Sequence, residues 1–127
     1  MTHSRPPAAV VLVGLSLVVL AACGGSSNGK SSEPTKTATD GAITVTAHDV
    51  RFDVGEIKTE PGTLTVTFKN EGAMQHDFKI DGTSLILKAN AGKSDTGSVE
   101  LAEGTYDFEC TIPGHKTQGM KGTVVVG

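Results

Sequence analysis

The chain has 127 residues, with 11 Lys and Arg against 14 Asp and Glu, for a formal charge of −3. This length allows one ordinary domain, and the mild acidity argues against nucleic acid, which calls for a basic surface. With no Trp, one Tyr and four Phe, a core must be built mostly from Val, Ile, Leu and Phe.

The first segment, residues 1–22, reads as a signal peptide. Arg5 supplies a weak positive start, and Ala8 to Leu20 form an apolar run too short to span a bilayer comfortably. It ends in "LAAC", Leu20 to Cys23. That tetrad resembles the lipobox of bacterial lipoproteins, in which small residues precede a cysteine that becomes lipidated and N-terminal. The resemblance implies an extracytoplasmic protein, in the cell envelope or periplasm, anchored to a membrane by lipid on Cys23. Residues 24–40 are rich in Gly, Ser, Thr, Lys and Pro without apolar periodicity, and read with Cys23 as a tether. The folded domain is then expected over residues 41–127. Cys110 is left without a partner cysteine in an exported domain, which flags a special role.

From Gly41 onward the hydrophobic period is two. "AITVTAHDV" alternates Ile43, Val45 and Ala47 with Thr44, Thr46 and His48. "TLTVTFKN" sets Leu64, Val66 and Phe68 against threonines. "HDFKI", "SLILKAN", "SVEL", "TYDFEC" and "GTVVVG" complete the set, separated by turn signals at 60–62, 70–73, 81–82, 90–95 and 102–104. The pattern predicts an all-β fold, an antiparallel Greek-key β-sandwich of seven to eight strands. Strand parity puts Cys110 on the face of Phe108 and Tyr106, and His76 on the face of Phe78 and Ile80. Glu109 and Asp107 fall at outward parity and read as a solvated face, and His48 shares the threonine face of its strand.

The loop "CTIPGHKTQGM" carries Cys110, His115 and Met120 just before the last strand. With His76 these are two imidazoles, a thiolate and a thioether. Structural zinc would more plausibly use Cys₄ or Cys₂His₂, and haem attachment needs C-x-x-C-H. A His₂Cys set with a weak thioether suits copper. Met74 is a second candidate thioether, two residues before His76.

"CTIPGHKTQGM", preceded by "TYDFE", followed by "KGTVVV" and with "NEGAMQHDF" upstream, resembles the cupredoxins. Within them it is most similar to the plastocyanin, azurin and auracyanin group of small type 1 copper proteins. The resemblance spans residues 41–127. It implies one mononuclear copper ion cycling between Cu(I) and Cu(II), with His76, Cys110 and His115 equatorial and Met120 axial. It also implies that the Gln75 carbonyl could approach the metal. One position departs from the pattern: Asp77 stands where the family usually has Asn. A carboxylate only accepts, so Thr111 is the expected donor, and Asp77 the expected brace of the Cys110 loop.

The family analogy implies electron exchange through the edge of His115, within an apolar patch of Met74, Ala73, Ile112 and Pro113. Lys116 and Lys121 would form a positive rim for an acidic partner. The expected function is therefore a monomeric, membrane-tethered, one-electron carrier serving transient redox proteins. The alternative is an extracytoplasmic protein that stores copper or delivers it. No residue set reads as catalytic, so no enzyme activity is expected.

Overall fold

The strands arise from β-branched and aromatic residues alternating with Thr, which suits a pleated sheet with one buried face. The structure, a computed structural model, describes residues 33–127. The apolar run, the lipobox and Cys23 lie outside the described residues. Ten strands follow in order: β1 Thr35–Thr37, β2 Ala42–His48, β3 Arg51–Phe52, β4 Glu56–Thr59, β5 Gly62–Asn70, β6 His76–Ile80, β7 Ile86–Ala89, β8 Ser94–Leu101, β9 Gly104–Glu109 and β10 Lys121–Val126. One 3₁₀ turn, Lys116–Gln118, lies between β9 and β10.

These strands form a two-sheet sandwich. One sheet has the order β1-β4-β10-β9-β6-β7 and the other β3-β2-β5-β8. The expected β-sandwich is therefore present, with two more strands than the upper expectation. β1, β3 and β4 have no counterpart among the seven runs that alternation marked. The first two have only three and two residues, too few to show a period. The sandwich is also mixed rather than wholly antiparallel: β1 with β4, β10 with β4, and β2 with β5 run parallel. β8 starts at Ser94, inside the stretch expected to be a turn, because polar residues suffice on an edge strand whose outer face meets water.

The boundary expected at Gly41 needs correction. Thr35 to Thr37 pair with β4, Ala38 N–H donates to Lys58 O at 2.8 Å, and Lys36 Nζ reaches Asp53 Oδ2 at 2.5 Å. The domain therefore includes residues that composition assigned to the tether. Polar side chains conceal this, since β1 contributes backbone hydrogen bonds to an edge rather than apolar surface to the core.

The core between the sheets holds Val45, Phe52, Ile57, Leu64, Val66, Phe68, Phe78, Ile80 and Phe108, all essentially inaccessible to water. All four Phe make one cluster. Phe52 meets Phe68, Phe78 and Phe108 edge-on with centroids 5.6–6.2 Å apart, and Phe78 lies 5.0 Å from Phe108. Such pairs contribute about 0.5–1.5 kcal/mol each beyond their burial. Phe78 and Phe108 stand two residues from His76 and Cys110 on the same strand faces, so the cluster is the rigid floor beneath those two side chains.

Candidate metal centre

His76 opens β6, and Cys110 directly follows β9. These strands are hydrogen-bonded neighbours, paired through Lys79 with Glu109 and Ile80 with Phe108. The pleat therefore aims both side chains into the same end of the sandwich, as strand parity predicts. The loop from Thr111 to Gly119 then returns the chain to β10. Cys110 N–H donates to Met120 O at 3.0 Å, extending the β9–β10 ladder by one step, and Met120 N–H donates to His115 O at 3.1 Å. His115 N–H closes on Ile112 O at 3.1 Å, and Gln118 N–H on His115 O at 3.1 Å. Gly114 and Gly119 take φ values of +85° and +115° in this loop, a region that side chains with a Cβ disfavour.

The three nitrogen and sulfur donors converge. His76 Nδ1 lies 3.2 Å from His115 Nδ1, and Cys110 Sγ lies 3.5 Å from His115 Nδ1. All three fall within 4.8 Å of one another. His76 is fully buried, Cys110 nearly so, and His115 keeps 8% of its surface in contact with water. Met120 is fully buried, whereas Met74 is 45% exposed. Met120, buried and with its backbone bonded to that of both Cys110 and His115, is the thioether that fits beside this cluster. Lone pairs that converge in a buried space repel unless a proton or a cation lies among them. Two imidazoles, a thiolate and a thioether match the preference of a single type 1 copper ion, and the residues present fit that group.

The electrostatics agree with a site prepared for a cation. Burial, and secondly the neighbouring His115, push His76 below its ordinary 6.5, while Asp49 and Asp77 pull it upward. The ring is therefore neutral at physiological pH, the form that binds metal. Burial pushes the Cys110 thiol above its ordinary 9.0, and hydrogen bonds from the backbone at Asp77 and Ile112 partly offset this. Without a cation Cys110 stays a thiol, and those backbone groups are already placed to hold the thiolate.

Asp77 is buried and braces the loop as expected. Thr111 N–H donates to Asp77 Oδ1 at 2.5 Å, and the Thr111 hydroxyl donates to Asp77 Oδ2. Both bonds need only an acceptor, which is why a carboxylate serves where the family pattern has an amide. Around the site, Ile112 packs partly buried against the core, while Ala73, Gln75, Pro113 and Lys116 are exposed. Of the positive rim expected from Lys116 and Lys121, the Lys116 part needs correction: its ammonium pairs with Glu109, whose side chain is only 16% exposed. Glu109 is accordingly not the solvated residue that parity suggested. Lys79 pairs with Asp81 at 2.9 Å beside it, so this rim has mixed charge.

In the sequence, Asn70 and Gly72 read only as part of a turn; the structure gives both a part in holding His76. Asn70 is 2% exposed. Its Nδ2 donates to Met74 O at 2.7 Å and Ala89 O at 2.8 Å, and its Oδ1 accepts from Gly72 N–H at 2.9 Å. It thus fixes the loop that delivers His76. Gly72 lies flat against the ligand: a Cβ there would stand 3.1 Å from His76 Nε2. An Asn at the end of a strand, two residues before a Gly, was the available signal.

Residues 14–126 match the family described as "Cupredoxin-like domain". The chain belongs to the cupredoxin-like family. Among solved structures it is similar to dithionite-reduced auracyanin from Roseiflexus castenholzii, with 27% identity and a TM-score of 0.62, covering 71% of this chain and 98% of that one. It is 32% identical over 105 residues to the "Copper-resistant cuproprotein CopI" of Rubrivivax gelatinosus, covering 65% of this chain and 63% of that protein. It is 30% identical over 81 residues to the "Cbb3-type cytochrome c oxidase subunit CcoP" of Azospirillum sp. (strain B510), covering 63% of this chain and 27% of that protein. The matched stretches thus span under two thirds of each of these two relatives.

Proposed function

We propose that this cupredoxin is an extracytoplasmic one-electron carrier, monomeric and held at a membrane surface by lipid on Cys23, that serves transient redox proteins and catalyses no reaction of its own. The observation that carries this reading is the closed, buried donor set of His76, Cys110, His115 and Met120. Copper bound there would supply a one-electron couple between Cu(I) and Cu(II). The chain's own part is to keep the donors still. Met120 and His115 are tied into one hydrogen-bonded loop, Cys110 is locked to β10 through Met120 O, and Asp77 ties that loop to β6. A site that moves little between oxidation states presents a low barrier to transfer. His115 is the ligand ring that keeps some exposure, so its edge is the exit for the electron. Met74, Ile112 and Pro113 offer the small apolar surface that a transient partner would touch.

Likeness to a protein named as a copper-resistant cuproprotein favours a second reading, in which the chain binds copper in order to store it or hand it on. The two are separated by measuring what leaves the protein. A carrier gives a reversible one-electron wave in voltammetry and yields Cu(I) to a competing chelator only slowly. Prompt transfer of the metal to the chelator, with sluggish electron exchange, would establish the second reading instead.

A further inference from the structure

The point where the described chain begins and the metal centre lie at the same end of the sandwich. β1 runs parallel to β4, and β4 runs parallel to β10. Thr35 is level with Glu56, and Glu56 with Thr123, three residues after Met120. Pro34 O continues that ladder by accepting from Gly55 N–H at 2.9 Å. One step further back, Glu33 is level with the first residue of β10, at the metal end. Side chains confirm the proximity. The Glu33 carboxylate lies 3.9 Å from Arg51 Nη1, and Arg51 pairs with His48 across β2 and β3. A Cβ on Gly72 would touch both the His48 backbone, at 3.2 Å, and the His76 ring, at 3.1 Å. Gly127, by contrast, follows the far end of β10, roughly 20 Å away along the strand at about 3.3 Å per residue.

We infer that a chain lipidated at Cys23 turns its metal-bearing end toward the bilayer and exchanges electrons with redox proteins embedded in that same membrane. The inference rests on the lipoprotein reading proposed above and adds the direction of the domain. Glu33 follows Cys23 by ten positions, so the root of the domain stays within about 35 Å of the lipid even at full stretch. A tether rooted beside Gly127 would let the sandwich stand outward, with the metal end farthest from the bilayer. Rooted at Glu33, the exposed Met74 and the edge of His115 are held nearer the membrane surface than the Gly127 end, which favours partners embedded there.

The test uses the full lipidated chain, loaded with copper and reconstituted in phospholipid vesicles carrying a headgroup-attached dye. The dye emits in the visible range where the copper–thiolate absorption falls, so quenching reports the distance from metal to bilayer and vanishes on reduction. The comparison chain carries Cys23→Ala and a lipidated cysteine joined beyond Gly127 by a linker of equal length. The expected result is several-fold stronger quenching for the chain anchored at Cys23. Equal or weaker quenching, with lipid on Cys23 verified by mass spectrometry, overturns the direction and leaves the tether standing. Mass spectrometry showing no lipid on Cys23 overturns the tether, and this inference with it.

Discussion

Asn70→Ala is the substitution that probes the least visible part of the site. The side chain makes three hydrogen bonds, to Met74 O, Ala89 O and Gly72 N–H, at 2.7–2.9 Å in a position 2% exposed. Each is worth about 1 kcal/mol, and the backbone groups left behind cannot all reach water, so a loss of about 3 kcal/mol is expected. For a domain of this size that corresponds to a fall in Tm of about 12–24 °C. The loop that delivers His76 loosens as well, so copper affinity falls and the visible spectrum shifts. Thermal unfolding of the metal-free domain, followed by copper titration, reads both effects. Lys69→Ala, at the exposed neighbouring position on β5, should change stability by no more than about 0.5 kcal/mol. A loss under about 1 kcal/mol for Asn70→Ala, with affinity and colour unaltered, would refute the argument that this residue positions the ligand.

Other outcomes follow from neighbouring contacts. Asp77→Ala removes both bonds to Thr111 and should cost about 2–3 kcal/mol in chemical denaturation. Asp77→Asn should stay within about 1 kcal/mol of the parent, because Oδ1 still accepts from Thr111 N–H and the amide can donate to the hydroxyl. It should also raise the reduction potential in voltammetry, since removing a negative charge beside the thiolate disfavours Cu(II). Gly122→Ala should prevent stable folding, as judged by circular dichroism: a Cβ there would lie 2.3 Å from Phe108 Cζ and 2.4 Å from Gly55 O. Because Cys110 is a thiol in the metal-free protein and His76 is already neutral, Cu(II) binding between about pH 7.5 and 8.5 should release one proton, from the thiol, and tighten about tenfold per pH unit. The lowered value of His76 has the opposite reach. Its unfolded form takes up a proton first, so the metal-free domain should lose stability as pH falls below about 6.5 toward the lower folded value.

The alternation in "TLTVTFKN" and "HDFKI" made the buried faces of β5 and β6 legible, since every second residue must meet the core. Parity turned His76 and Cys110 inward, and it was the resemblance of "CTIPGHKTQGM" to a cupredoxin ligand loop that joined His115 and Met120 to them. What stayed hidden was carried by the backbone. β1 joins the sheet through main-chain hydrogen bonds with exposed threonines, so composition there resembles a tether. The Asn70 bracket bonds mostly carbonyls and an amide, which every sequence contains. The Lys116–Glu109 pair depends on how the ligand loop folds back over β9, and spacing along the chain does not encode that contact.

His76, Cys110, His115 and Met120 together fit one copper site. Titration of the purified domain with Cu(II) tests it most directly, with stoichiometry and visible absorption read together. The expected result is one copper per chain, with an intense thiolate-to-copper absorption that is bleached by reductant and absent in Cys110→Ser. A colourless complex, or colour that survives Cys110→Ser, would contradict it.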